Sequence, residues 1–393
     1  MIKTFEISKI PLSIYVHIPW CEKKCPYCDF NSHEVLKNLP EIEYIKCLEK
    51  DLILNEEIIR NRPIQSIFFG GGTPNLFSTK SIKKIMNFLK NNFNLRKDIE
   101  VTLEANPGNY PTFLKSVDYF QSLKEIGVSR LSIGVQSFDN KNLKNIGRVH
   151  TSDQSYNFTK DATEVFSNIN IDLMYGMPGR TLENVKKDLA QAISFPISHL
   201  SIYQLTIEPN TKFFNFPPIL PNEDNLWTMY KKILNETNEN YYERYEISAF
   251  SKKNKNCLHN LNYWKFGDYL GVGAGAHSKI TFHDHIERQN CLKSPQSYMN
   301  QLSNKNNHGH KKKKTLSVKE IPFEFMLNAL RLTNGFNIDL FSVRTGESFN
   351  VIEKIVHEAA EKKMLSISHN KVKPTKIGLN FLNDLQQMFL NYD

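Results

Sequence analysis

The chain reads as an α/β protein: six β–α units forming a parallel sheet that closes, fully or in part, into a barrel, followed by a small helical module. Three observations predict this. Six short β-rich runs alternate with amphipathic helical stretches, and strands alternating with helices imply parallel neighbours joined by crossovers. Polar residues suited to chemistry stand in or just after those runs, and barrels of this kind gather their sites at the C-terminal ends of the strands. At residues 303–314 the pattern breaks into polar, basic, low-complexity sequence, and beyond it lie helices and one short strand pair. An open doubly wound sheet is the alternative arrangement of the same elements.

The first unit joins a strand at 13–18 to a helix near 41–61. Between them lie Cys21, Cys25 and Cys28 in a C-x3-C-x2-C spacing, close enough for three thiolates on one loop to hold one inorganic centre. Structural zinc prefers two C-x2-C pairs with four closed ligands, and there is no second pair. A disulfide framework belongs to small secreted chains, whereas this chain has 393 residues and six cysteines. Cys257 and Cys291 are scattered, and Cys47 shares an apolar helical stripe with Tyr44, Leu48 and Leu52.

The second strand, 66–69, runs straight into Gly70-Gly71-Gly72-Thr73-Pro74, where glycine lets backbone groups approach a ligand closely; a tight turn is the plainer reading. A helix follows at 79–93. The third strand, 99–103, ends at Glu104 before a helix near 111–126. The fourth, 130–135, ends at Gln136, with Arg148 shortly after and a helix at 153–166. The fifth, 170–174, contains Asp172 and precedes a helix at 181–194; the sixth is 200–205. Buried charges are costly unless paired, so salt bridges inside the barrel are the plain reading of Glu104, Arg148 and Asp172.

These residues also carry a resemblance. The segment YVHIPWCEKKCPYCDF, Tyr15 to Phe30, resembles the cluster loop of the radical S-adenosylmethionine (SAM) superfamily. Further matches follow in the order expected there: FGGGTP at 69–74, LEANP at 103–107, GVQSF at 134–138, GRVH at 147–150 and NIDLMYGMP at 170–178. Together they are similar to the branch that holds oxygen-independent coproporphyrinogen III oxidases and their heme-chaperone relatives, from about residue 12 to the C-terminus. The resemblance implies a partial (β/α)6 TIM-like radical SAM barrel with a winged-helix-like C-terminal domain. It implies a [4Fe–4S] cluster on Cys21, Cys25 and Cys28, with the fourth iron open to the amine and carboxylate of SAM. Gly71, Gly72 and Thr73 would meet the methionine end of SAM, and Glu104 and Asp172 would hydrogen-bond it. Gln136 and Arg148 would line the same cavity; in the oxidase the equivalent positions touch a second SAM. Tyr15 and Tyr27 would flank the cluster. The implied chemistry is reductive cleavage of SAM, which needs an electron donor.

Within the branch, the oxidase pattern has a fourth cysteine two positions after the third, and here that position is Phe30. The oxidase also has an extension before its first strand, which here starts near residue 13. Both departures favour the heme chaperones, whose loop typically reads C-D-F. The stretch HNLNYW at 259–264 fits their H-N-x-x-Y-W pattern, making His259, Tyr263 and Trp264 candidate heme contacts; a neutral histidine is a common haem-iron ligand. The plain reading is a histidine beside a polar turn with Trp264 in the core. His17, His150 and His277 are weaker candidates.

Composition agrees with a cytoplasmic protein of this kind. Apolar residues make up 40%, no run is long enough to span a membrane, and the N-terminus lacks a secretory h-region. The net charge of +9 reflects abundant lysine on solvated faces. The sequence GVGAGA at 271–276 fits a dinucleotide fingerprint superficially, but a strand rather than a helix follows it, so a close-packed loop at the barrel edge, near the SAM adenine, is expected. Residues 303–315 are expected to be a solvated linker between a barrel unit, 1–302, and a helical unit, 316–393. The predicted function is heme binding and delivery to haem proteins, with a peripheral membrane contact compatible and the oligomeric state open. Coproporphyrinogen oxidation is one alternative; nucleic-acid binding around a structural cluster is another, and nucleic acid is not an expected partner.

Overall fold

The structure, a computed structural model, describes residues 5–35, 38–108, 116–304 and 309–390. Parts of the expected linker and of the helix near 111–126, together with His308 and residues 391–393, lie outside the described residues.

Six parallel strands form the centre: β1 (Leu12–Ile18), β2 (Ile64–Gly71), β3 (Leu95–Ala105), β4 (Arg130–Gln136), β5 (Ile169–Tyr175) and β6 (His199–Gln204). Each pairs in parallel with the next in sequence. This unbroken order is that of a barrel wall, and a doubly wound sheet would reverse it at a switch point. The crossovers carry α1 (Glu41–Leu54), α2 (Thr79–Asn92), α3 (Ser116–Ile126), α4 (Ser152–Val165) and α5 (Leu182–Ser194). Their apolar faces follow the helical period: α2 buries Ile82, Ile85, Met86 and Leu89. Thr151 and Thr181 cap α4 and α5 with reciprocal capping boxes, which fix where those helices begin.

Alternation along the strands separates two environments. On β4, Leu131, Ile133 and Val135 are fully buried in the main core, while Arg130, Ser132, Gly134 and Gln136 share the opposite face. β3 presents Glu100, Thr102 and Glu104 in the same way, and β5 presents Asn170 and Asp172. The barrel is therefore apolar outside, under its helices, and polar in its lumen.

After β6 come α6 (Glu223–Glu239), then β7 (Glu243–Arg244) and β8 (Ala249–Ser251), which extend the sheet antiparallel beyond β6. The chain then returns through α7 (Leu258–Trp264) to β9 (Asp268–Val272), a seventh parallel strand on the free side of β1. The glycine stretch at 271–276 is thus the end of β9 and the turn to β10 (His277–Thr281). β11 (Ile286–Cys291), α8 (Pro295–Ser303) and β12 (Lys311–Thr315) complete a twelve-stranded sheet in the order β12-β11-β10-β9-β1-β2-β3-β4-β5-β6-β8-β7.

The expected linker is corrected here, because Lys311–Thr315 pairs along its length with β11. Its anchor is Asp51 on α1. That carboxylate is fully buried and takes a Lys311 Nζ ion pair at 2.9 Å, a His310 Nε2 contact at 3.0 Å and a Tyr298 hydroxyl hydrogen bond at 2.7 Å. Burial alone would raise its pKa, but Lys311 and His310 outweigh burial and hold it well below the usual carboxylate range. No apolar pattern marks this lysine-rich strand; only its partners do.

The C-terminal module contains α9 (Glu320–Ala329), α10 (Ile338–Thr345) and α11 (Asn350–Glu361), with a three-stranded sheet of β13 (Phe336–Asn337), β14 (Leu365–Ser368) and β15 (Lys371–Pro374). Two short helices, Lys376–Asn380 and Leu382–Gln387, follow β15. The module's core includes Phe5, Ile10 and Phe266. Ile10 and Phe266 immediately precede β1 and β9, so the module closes the end of the barrel opposite the mouth.

Candidate functional site

The mouth, at the C-terminal ends of the strands, opens into a cavity of about 310 Å3. Cys21, Cys25 and Cys28 line it as free thiols on the loop after β1. The Cys28 N–H donates to the Cys25 carbonyl at 3.1 Å, and Cys28 Sγ lies 3.9 Å from Ser32 Oγ. Burial pushes the Cys21 and Cys28 thiols up. Among the described residues no three His, Cys, Asp or Glu side chains converge closely enough for a single metal ion. The three thiols face this cavity together.

The glycine loop is stitched to the cysteine loop by backbone bonds. The Gly72 N–H donates to the Ile18 carbonyl at 2.8 Å and the Thr73 N–H to the Trp20 carbonyl at 2.7 Å. A Cβ on Gly72 would stand 2.5 Å from that Trp20 oxygen, and Gly71 has φ +114°, a conformation open to glycine. Both positions therefore require glycine, which explains the run without reference to a ligand and leaves the exposed backbone facing the cavity.

Glu104 accepts the Gly71 N–H at 3.1 Å; burial, and then the Asp172 charge, raise its pKa to about 7. Asp172 accepts from Asn170 Nδ2 at 2.8 Å and from Ser132 Oγ at 3.4 Å, and burial raises it despite those bonds. Gln136 closes β4 with φ +66°, after a register shift against β5. A left-handed glutamine is uncommon, and such strain gathers at sites. The Tyr203 hydroxyl fixes its side chain, donating to Oε1 at 2.5 Å. Arg148 donates to the Gly134 carbonyl at 2.7 Å and brings Nη1 to 3.8 Å from Cys25 Sγ. Tyr27 lines the same cavity, as does Phe30, which is 59% exposed.

Tyr15 departs from its expected place beside the cluster. It points into the lumen three residues before β1 ends, donates to His17 Nδ1 at 3.0 Å and lines a second, inner chamber of about 240 Å3. The outer cavity and this chamber share Glu104, Ser132 and Asp172. His259 and Tyr263 also line the chamber. His259 is 1% exposed, with Nδ1 3.0 Å from Ser66 Oγ and Nε2 2.8 Å from the Tyr263 hydroxyl. Burial and then Arg130 lower its pKa to about 3, so the ring is neutral and both its nitrogens are engaged. Trp264, the next residue on α7, faces elsewhere: the Arg331 guanidinium lies 4.3 Å over its ring, at the join with the C-terminal module. His17 and His150 likewise have both ring nitrogens occupied, and His277 is exposed. None of the residues of the 271–276 turn lines the outer cavity.

Sequence reasoning missed Tyr203, Ser132, Asn170 and Arg130. All four stand on the lumen face of strands whose other face is apolar, so the period-2 alternation marked them.

A sequence model of the radical SAM superfamily matches residues 15–192, and one of the HemN C-terminal domain matches residues 316–381. The chain is 39% identical to "Heme chaperone HemW" of Escherichia coli (strain K12), over 97% of this chain and 98% of that protein. The chain belongs to the HemW family of radical SAM proteins. A second relative of the same name, from Buchnera aphidicola subsp. Schizaphis graminum, is 40% identical over 97% of this chain and 99% of its own. Coproporphyrinogen III oxidase (HemN) from Escherichia coli shares the fold, with a TM-score of 0.80 at 20% identity over 97% of this chain and 90% of that one. Membership of the superfamily implies a [4Fe–4S] cluster and SAM. The three free thiols and the glycine-walled cavity fit that pair. No helix among the described residues is long and apolar enough to cross a membrane.

Proposed function

We propose that the protein is a heme chaperone that holds a [4Fe–4S] cluster and SAM at the barrel mouth, binds heme and passes it to haem proteins in the cytoplasm. The observation that carries this reading is near-full-length similarity, at 39–40% identity, to proteins named heme chaperone. Phe30 agrees with it, standing where the oxidase pattern has a fourth cysteine. Residues 316–393 are taken as a separate unit closing the barrel.

In this reading Cys21, Cys25 and Cys28 hold the cluster, which supplies an electron for reductive cleavage of SAM. Gly71, Gly72 and Thr73 present backbone to the methionine end. Glu104 and Asp172 accept hydrogen bonds from SAM, and Asn170 and Ser132 keep the Asp172 carboxylate oriented. Gln136, Arg148 and Tyr27 complete the wall, and the Arg148 charge beside Cys25 offsets part of the negative charge of a thiolate-ligated cluster. Tyr15 supports the site from the inner chamber.

Anaerobic reconstitution with SAM and a reductant tests the choice. Added coproporphyrinogen III is expected to remain unchanged, while heme titration gives a saturable change in the heme absorption. Because both His259 nitrogens are engaged within the barrel, His259→Ala is expected to leave heme affinity intact. Appearance of protoporphyrinogen, or failure of heme to saturate, would overturn the reading.

A further inference from the structure

A third cavity adjoins the outer one. It is a groove of about 800 Å3, larger than the outer cavity or the inner chamber, between α6, the strands β6 and β8, and the last two short helices. Ile233 and Phe250 line it as buried core residues, and Leu226 and Tyr230 carry the apolar stripe of α6 outward at helical spacing. Two further rings line it in the open: Trp227 is 42% exposed, and Phe381, between the short helices, is 58% exposed. A lone exposed apolar residue is ordinary, but large rings gathered on one groove mark a surface that receives something. The Trp227 and Tyr230 rings stack, with centroids 5.5 Å apart and planes at 30°. Tyr203, Gln204 and Thr206 line both this groove and the outer cavity.

Cations stand beside these rings. Arg244 Nη1 donates to the Tyr230 hydroxyl at 2.6 Å, and its Nε and Nη2 donate to the Glu246 and Ile247 carbonyls, so its bonds are to neutral groups. Arg331 pairs through Nη2 with Glu246 at 3.3 Å, while its Nε is a buried donor without an acceptor. Lys231 Nζ lies 5.7 Å from the centroid of the Trp227 ring. Glu223 and Asp384 line the groove too, but both are exposed, where water and salt screen them.

We propose that this groove is where heme binds, with the macrocycle against Trp227 and Phe381, its carboxylates met by Arg244 and Arg331, and its iron facing Tyr230. The proposal rests on the heme-chaperone reading and adds to it the place of the cargo. Heme is a flat apolar ring with two carboxylates, and the groove offers both complements: aromatic faces that stack on a ring, and guanidinium groups that match a carboxylate. Its size falls among ligand and cofactor sites, which span roughly 300–1,000 Å3. No histidine, cysteine or methionine is among the described residues that line it, so the iron meets a tyrosine oxygen, one of the known haem ligands. The exposure of Trp227 and Phe381 leaves the groove open to water, which lets heme enter and a recipient withdraw it.

The test titrates ferric heme into the cluster-reconstituted full chain and follows its absorption. Wild type should saturate, and binding should weaken at least about fivefold in Trp227→Ala and in Phe381→Ala, as loss of a stacked aromatic contact predicts. Both side chains are largely exposed, so both variants should fold, and SAM binding on the same samples should match wild type. Tyr230→Phe keeps the ring and removes the oxygen, so the ferric absorption spectrum should shift. Saturation of wild type with the same affinity in Trp227→Ala and Phe381→Ala overturns the groove and leaves the heme-chaperone reading standing. Heme that never saturates wild type overturns both. An unchanged ferric spectrum in Tyr230→Phe overturns the iron contact.

Discussion

Glu104 shows what the lumen does to a single side chain. Its folded pKa of about 7 lies above the ordinary 4.5, so the native state binds this proton more tightly than the unfolded chain. The associated stability is complete below about pH 4.5 and is lost as pH rises through 7. Glu104→Gln keeps an acceptor for the Gly71 N–H but never ionises. In urea unfolding of the ligand-free protein, the variant should be more stable than wild type at pH 8, by up to about 3 kcal/mol, and equal to it near pH 4.5. The same change should weaken SAM binding, since it removes a carboxylate from the cavity wall. Equal stability at both pH values would show that the carboxyl is not buried as drawn. At this scale the cysteines, Glu104 and Asp172 were legible because their motifs occur in order at strand ends. Arg130 was not: at the start of the run RLSIGVQ it looks like a solvated strand end. The surroundings of His259 were not legible either, because one of its partners, Ser66, comes from a strand far away in sequence.

Among the elements, β12 depends most on a distant residue. Asp51 on α1 holds Lys311 and His310, so the strand's entry into the sheet is set by one buried carboxylate. Asp51→Ala removes the carboxylate that pairs the buried Lys311 ammonium and should cost about 3–5 kcal/mol in urea unfolding. Hydrogen exchange should report the loss first at the amides of Lys311–Thr315, ahead of those of β1–β6. Uniform loosening across the whole sheet would contradict this. The six central strands and their crossover helices were readable from β-branched runs and helical periodicity, because each buries an apolar face of its own. β12 buries almost none, and β7 and β13 are two residues long, so no pattern announces them. The end of β9 was readable only as a loop, since Gly271 and the glycines just past the strand, Gly273 and Gly275, hide its strand character.

For the molecule as a whole, the second core is shared between the barrel floor and the C-terminal module, with Phe5, Ile10 and Phe266 packed among Phe325, Phe336 and Phe341. A chain ending at residue 315 would expose that surface, so it should scatter light on concentration while the full chain does not. A soluble, cluster-binding truncation would show the module to be dispensable. The division near residue 316 was visible in composition, but the depth of contact was not, because the residues that cross it lie near both ends of the chain. The twelve-stranded sheet is open, so it has two free margins. One is β12, with Lys312, Lys313 and Lys314 exposed, and the other is the two-residue β7, Glu243–Arg244. A strand from another molecule could add to either margin only by crowding or burying charges, so self-templated stacking is discouraged at both. The lysine run that reads as a spacer in the sequence thereby guards the widest exposed ladder of the protein against amyloid-like growth.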